Sequence, residues 1–185
     1  MEGRNRADKI DKLFRLISEE KEDDVPCVFI SYQRNDEDFA KSVAKYINDH
    51  QIDVFFDLED IHLKKSNSPE DVTDSIKAGL KKSNYMIVIV SSTTASSPWV
   101  PFEIGYAYDQ MAEKMKILRN RNLPIKSLPD YLKTKEILNG YYSLNTFLKN
   151  VRNSYKLYES KIQKGQNIKT FSSLTNPLNK YLENL

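Results

Sequence analysis

A single cysteine, Cys27, excludes any intrachain disulfide and points to a reducing compartment. With only two histidines beside it, no cysteine–histidine spacing supports a metal site, and none is expected. The five glycines never gather into the loop that cradles a phosphate. Long apolar runs are missing: the longest, residues 86–90, is far too short to cross a bilayer. The opening MEGRNRADKIDKLF lacks the apolar centre of a signal peptide. Excess charge is missing too. Basic residues number 28 against 26 acidic ones, a formal net charge of +2, which gives no electrostatic reason to expect nucleic acid. The expectation is a cytoplasmic protein with neither a membrane nor a nucleic acid as partner.

What is present fits one domain with appendages, because 185 residues would cramp two. Residues 8–20 set Ile10, Leu13, Phe14 and Ile17 at helical spacing, so 1–24 reads as an amphipathic N-terminal helix. After Pro26, Cys-Val-Phe-Ile-Ser is a short β-rich run. Asn35 is placed to cap a helix in which Phe39, Val43 and Ile47 recur every four residues. Residues 52–57 predict a second strand, and the polar stretch 58–67 is long enough to be a functional loop. Ser68-Pro69-Glu70 starts a helix with a hydroxyl cap and a proline at its first position; Val72, Ile76 and Leu80 form its buried stripe. Residues 85–90 are apolar on both faces, as a central parallel strand requires. Pro101 is the expected first residue of the next helix. Residues 115–118 and 137–141 predict a fourth and a fifth strand. Beyond about Ser143 the chain reads as helical, with Leu144, Phe147, Leu148 and Val151 on one face, and Pro177 divides the tail.

Strand and helix alternate from residue 26 onward, the pattern of an α/β protein whose parallel sheet carries helices on both faces. Ligands of such sheets bind beyond the carboxyl ends of the strands. Segments 32–36, 58–67 and 91–103 all fall at that edge.

These segments resemble the signature boxes of TIR (Toll/interleukin-1 receptor-like) domains. Phe29-Ile-Ser-Tyr-Gln-Arg-Asn35 is similar to the first box. Val54-Phe-Phe-Asp57 and the loop after it resemble the second strand and BB loop. Ser97-Pro-Trp-Val-Pro-Phe-Glu103 resembles the Ser-x-Trp-x-x-x-Glu stretch of the NAD-cleaving members. The resemblance covers roughly residues 25–150 and leaves 151–185 as a C-terminal helical extension. It implies a flavodoxin-like, five-stranded parallel sheet. It also implies cleavage of NAD, as substrate rather than cofactor, with Glu103 catalytic and Ser31, Tyr32, Gln33, Arg34, His62, Ser91 and Trp99 around the substrate. Two departures stand out. Segment 58–67 holds none of the family's usual loop glycine, and His62 falls where the animal axon-degeneration member has an acidic residue. Of the two arginines in that member's first box, only Arg34 keeps its charge here.

The chemistry agrees with a single carboxylate. Glycosidases acting on sugars commonly need two, since an alkoxide leaving group must be protonated. Nicotinamide is bound as a cationic pyridinium and leaves neutral, so the remaining task is to stabilise the oxocarbenium-like ribose. Glu103, in a first helical turn whose dipole favours the ionised form, suits that task. Trp99 is placed to stack on the nicotinamide, and the Arg34 guanidinium to meet the pyrophosphate. Water as the attacking group gives ADP-ribose, and the adenine of the same molecule gives a cyclic isomer. The plainer alternatives are a helix-start charge for Glu103, a core aromatic for Trp99, a solvated charge for Arg34 and an exposed loop histidine for His62. Cys27 reads as buried packing.

The chain is also similar to small standalone bacterial TIR proteins, including the signal-producing component of Thoeris anti-phage systems. That likeness implies a nucleotide messenger, a separate effector that senses it, and a homo-oligomer built through TIR–TIR contacts. A non-enzymatic TIR adaptor or host-signalling decoy is the competing function, and a nucleoside deoxyribosyltransferase-like enzyme with a covalent ribosyl intermediate is a further one. Glu103 together with Trp99 favours the NAD-cleaving reading over both.

Overall fold

The computed structural model describes residues 25–56, 68–94, 97–155 and 176–184. The expected N-terminal helix, the loop 58–67 with His62, and residues 156–175 of the extension lie outside the described residues.

Five strands, β1 (Cys27–Ser31), β2 (Asp53–Phe55), β3 (Tyr85–Val90), β4 (Met115–Arg119) and β5 (Glu136–Leu138), form one sheet in the order β2-β1-β3-β4-β5. Every pairing is parallel. The fold is the flavodoxin-like one expected. Strand periodicity divides the core in two. Val28, Ile30, Val54, Ile87, Ile89, Leu118 and Leu138 face α1 (Glu37–Asp49) and α5 (Tyr141–Ser154). Their neighbours Phe29, Phe55, Met86, Val88, Val90, Met115 and Ile117 face α2 (Pro69–Lys81), α3 (Val100–Ala107) and α4 (Asp130–Lys133). A strand buried on both faces has no polar side to show, hence the unbroken apolar run of β3.

The helices follow the sequence signals with informative exceptions. Ser68 and Asp71 form a reciprocal capping box, each donating a backbone N–H to the other's side chain at 3.2 Å, ahead of Pro69. Asn35, by contrast, does not cap α1. It lies inside a 3-10 turn, Arg34–Asp36, and its own N–H goes to the Gln33 side-chain carbonyl. Asp36 takes the N-cap position but makes no side-chain bond to its helix. Helix α3 starts at Val100, one residue before Pro101. Ser97 Oγ accepts the N–H groups of Trp99 (3.3 Å) and Val100 (3.2 Å), two donors the new helix leaves over.

Strand β5 ends at Leu138 rather than at 141, because the next residues turn to other partners. Asn139 Oδ1 accepts from Arg119 Nε at 3.1 Å, and Gly140 bridges to Glu183. Helix α5 thus begins at Tyr141 and runs through residue 150 to Ser154. The described end of the expected helical extension, residues 176–184, is built of turns instead. It returns to the core: Leu178 and Leu182 are buried, Tyr181 stacks on Phe39 at 4.6 Å, and Asn176 donates to Tyr46 Oη at 3.2 Å. Among the described residues no helix is long and apolar enough to cross a membrane.

Candidate functional site

From β1 the chain passes through α1 to β2 on one side, then through α2 to β3 on the other. These two crossovers lie on opposite faces of the sheet. A crevice therefore opens at the carboxyl ends of β1 and β3, the topological switch point where this class of sheet binds ligands. Ser31 is the last residue of β1, and Ser91 directly follows β3.

Ser31 is fully buried and donates its hydroxyl to Glu103 Oε2 at 2.5 Å. Two residues 72 positions apart thus meet across the crevice. Glu103 lies in the first turn of α3, its N–H closing that turn on the Trp99 carbonyl at 2.9 Å. The residue keeps part of its surface open, but its carboxyl is withdrawn from water. Burial pushes its pKa up to about 7, and the Ser31 hydrogen bond opposes that rise. The helix dipole favours the ionised form, while loss of hydration acts in the opposite direction. Near neutral pH the free site holds both protonation states. A cation placed against the carboxylate would restore the charged one.

Trp99 is half-buried. Its ring meets Phe102 edge-on at 6.1 Å, and Phe102 stacks on Tyr106 at 6.3 Å, so the indole packs on the core beneath α3 while keeping some surface open.

The other expected site residues divide. Arg34 is exposed on the 3-10 turn after β1, at the rim. Tyr32 turns away to the α1/α5 side, where its ring lies 5.1 Å from Phe56. Gln33 commits its side-chain carbonyl to the local turn. Ser91 donates its hydroxyl to Asp36 Oδ2 at 2.6 Å and accepts the Thr93 N–H at 3.2 Å. Ser31, Glu103 and Trp99 thus form one continuous group, and Ser91 is joined to a carboxylate that sequence reading overlooked.

Asp36 is that carboxylate. It also accepts from Thr93 Oγ1 at 3.3 Å, and its pKa is raised by burial against the lowering effect of the two hydroxyls. The available signal was an acidic residue in segment 32–36 and a run of serines and threonines in 91–97, both at one sheet edge. No local pattern pairs positions 55 apart.

Comparison with known proteins agrees with this fold. Residues 28–138, well over half of the chain, match the family described as TIR domain. Among curated proteins no relative matches.

Proposed function

This chain belongs to the TIR domain family, and on that premise we propose that it is an NAD nucleosidase or ADP-ribosyl cyclase with Glu103 as its catalytic carboxylate. The observation that carries the reading is the Ser31–Glu103 contact. A desolvated carboxylate is held at the switch-point crevice, four residues from the partly open Trp99.

The bond that breaks joins ribose C1′ to the pyridinium nitrogen. Its electron pair goes to that nitrogen, so nicotinamide leaves neutral and needs no proton. Positive charge moves to the ribose, where ionised Glu103 stabilises it more strongly than water would, because the site is partly dry. The substrate helps to prepare its own catalyst: the bound pyridinium cation lowers the Glu103 pKa and fills the ionised state. Trp99 offers an aromatic wall to the departing ring, and Arg34 a guanidinium fork for the pyrophosphate. Water then adds to C1′ and gives up a proton, yielding ADP-ribose. Alternatively an adenine nitrogen closes the ring to a cyclic ADP-ribose isomer.

Likeness to the standalone bacterial TIR proteins of Thoeris systems supports a wider reading. In it the product is a cytoplasmic messenger for a separate effector in anti-phage defence, and the enzyme works as a homo-oligomer through TIR–TIR contacts.

The test is to incubate the purified protein with NAD while light scattering follows its assembly. Nicotinamide and adenine nucleotide products are separated by chromatography with mass detection. We expect stoichiometric nicotinamide release, and a loss of about a thousandfold in Glu103→Gln, the scale of removing one electrostatic stabiliser from a transition state. Undiminished turnover in Glu103→Gln would overturn the site. No cleavage by an assembled wild-type protein would leave the adaptor function standing.

A further inference from the structure

Asp36 is the acidic group for which the chemistry above has no use. It stands at the start of α1, half-buried, yet it caps nothing in its own helix. Its Oδ2 instead gathers the hydroxyls of Ser91 and Thr93 from the loop beyond β3. From there hydrogen bonds continue step by step toward α3. Ser91 N–H donates to Thr94 Oγ1 at 2.8 Å, and Thr94 N–H returns to the Ser91 carbonyl at 3.3 Å. Ser97 N–H donates to the Thr94 carbonyl at 3.1 Å. Ser97 Oγ in turn collects the N–H groups of Trp99 and Val100, and Glu103 N–H closes on the Trp99 carbonyl.

We propose that Asp36 is a positioning residue, whose carboxylate anchors this relay and so fixes Trp99 and Glu103 against the mouth of β1. The proposal rests on the NAD-cleaving reading for what is being positioned, while the relay itself is a property of the fold. A carboxylate is the fitting anchor because it only accepts, so one oxygen can take both hydroxyls, which also lie 2.9 Å from each other. Arg34 occupies the same 3-10 turn as Asp36. The anchor therefore also sets the spacing between the guanidinium proposed for the pyrophosphate and the carboxylate proposed for the ribose.

Trp99 is the only tryptophan in the chain, which gives a reporter independent of activity. Asp36→Ala, Asp36→Asn and Ser91→Ala are each compared with wild type at a temperature where all remain folded. Acrylamide quenching of Trp99 is measured alongside kcat and KM for NAD. We expect Asp36→Ala and Ser91→Ala to make Trp99 more accessible. Both should lower kcat by on the order of 10- to 100-fold, with KM moving less, since small misplacements at a reacting centre cost that much. Asp36→Asn retains an acceptor oxygen and recovers most of both losses. The double variant Asp36→Ala/Ser91→Ala should be no worse than the poorer single one, as members of one chain of contacts are not additive.

A folded Asp36→Ala with Trp99 quenching and kcat both within twofold of wild type overturns the proposal, and so do losses that multiply in the double variant. If Asp36→Ala does not fold, Ser91→Ala decides by the same readings. If wild type does not cleave NAD, the preceding reading fails. Trp99 quenching then decides alone: a rise in Ser91→Ala and Asp36→Ala supports the relay, and no change overturns it.

Discussion

Ser31 gives its only hydroxyl proton to Glu103, so the orientation of a helix carboxylate is set by the end of β1. Loss of that donor removes the one contact that lowers the Glu103 pKa. With Glu103 acting as its anion, kcat/KM for NAD in wild type should rise with pH through a midpoint near 7. The midpoint in kcat should lie lower, because the bound pyridinium favours the charged carboxylate. Ser31→Ala should move the kcat/KM midpoint upward by on the order of one pH unit, the scale of a charge-assisted hydrogen bond. Initial rates between pH 5 and 9 test this, and an unmoved midpoint in Ser31→Ala would separate the hydroxyl from the titration.

The same carboxylate carries a cost in stability. Its pKa is about 7 in the folded protein against 4.5 for the ordinary side chain. Between those values the native state binds more protons than the unfolded one, so stability falls as pH rises through that window. Glu103→Gln has no charge to desolvate. Its Tm should exceed that of wild type at pH 8, and the two should converge near pH 4.5. A gap that widened toward acid would contradict the sign.

How far the sequence reached depends on whether a feature is local. β3 was legible because burial on both faces leaves six consecutive residues with no charge among them, and α2 because Ser68, Pro69 and Asp71 are adjacent. The switch-point edge followed from element order alone. What escaped were contacts between distant positions. Asn35 looked like a helix cap, but Gln33 satisfies the turn. Asp36, the actual N-cap residue, is drawn across the crevice by Ser91. Tyr32 belongs to a motif and still faces Phe56. For Glu103 a dipole can be read from helix position, whereas desolvation depends on what folds over it. Leu178, Tyr181 and Leu182 fall at i, i+3 and i+4, but that spacing does not say that a segment of turns would return to the core with Leu178 and Leu182 buried.

Two helix glycines should respond to alanine with opposite signs. A Cβ on Gly79 would meet the Phe55 ring at 2.5 Å, and that ring is buried and stacked on Phe29 at 5.6 Å. Overpacking of this kind costs about 1–3 kcal/mol, more than the roughly 1 kcal/mol of helix propensity gained. A Cβ on Gly105 meets nothing within 4 Å, so only the propensity gain remains. Thermal melts should show Gly79→Ala below wild type and Gly105→Ala above it. A stabilised Gly79→Ala would mean that β2 yields easily at Phe55.

The C-terminal segment should behave as part of the core rather than as an appendage. Arg119 is buried at the end of β4 and spends its guanidinium on Asn139, the Leu123 carbonyl and Glu183, the last at 3.0 Å. Glu183 remains partly exposed, so its attraction is screened. Removing it nevertheless strips a buried cation of its acidic partner, and that loss exceeds what the pair itself contributes. Glu183→Ala should therefore destabilise by about 1–3 kcal/mol, and Glu183→Gln by less, because an amide oxygen still accepts from the guanidinium. Leu178→Ala should cost about 2–5 kcal/mol, a large share of the roughly 5–15 kcal/mol that holds a domain folded. Urea denaturation followed by circular dichroism measures all three. If Leu178→Ala shifts the midpoint no more than a surface substitution does, the segment is not seated on α1 and β4 in solution.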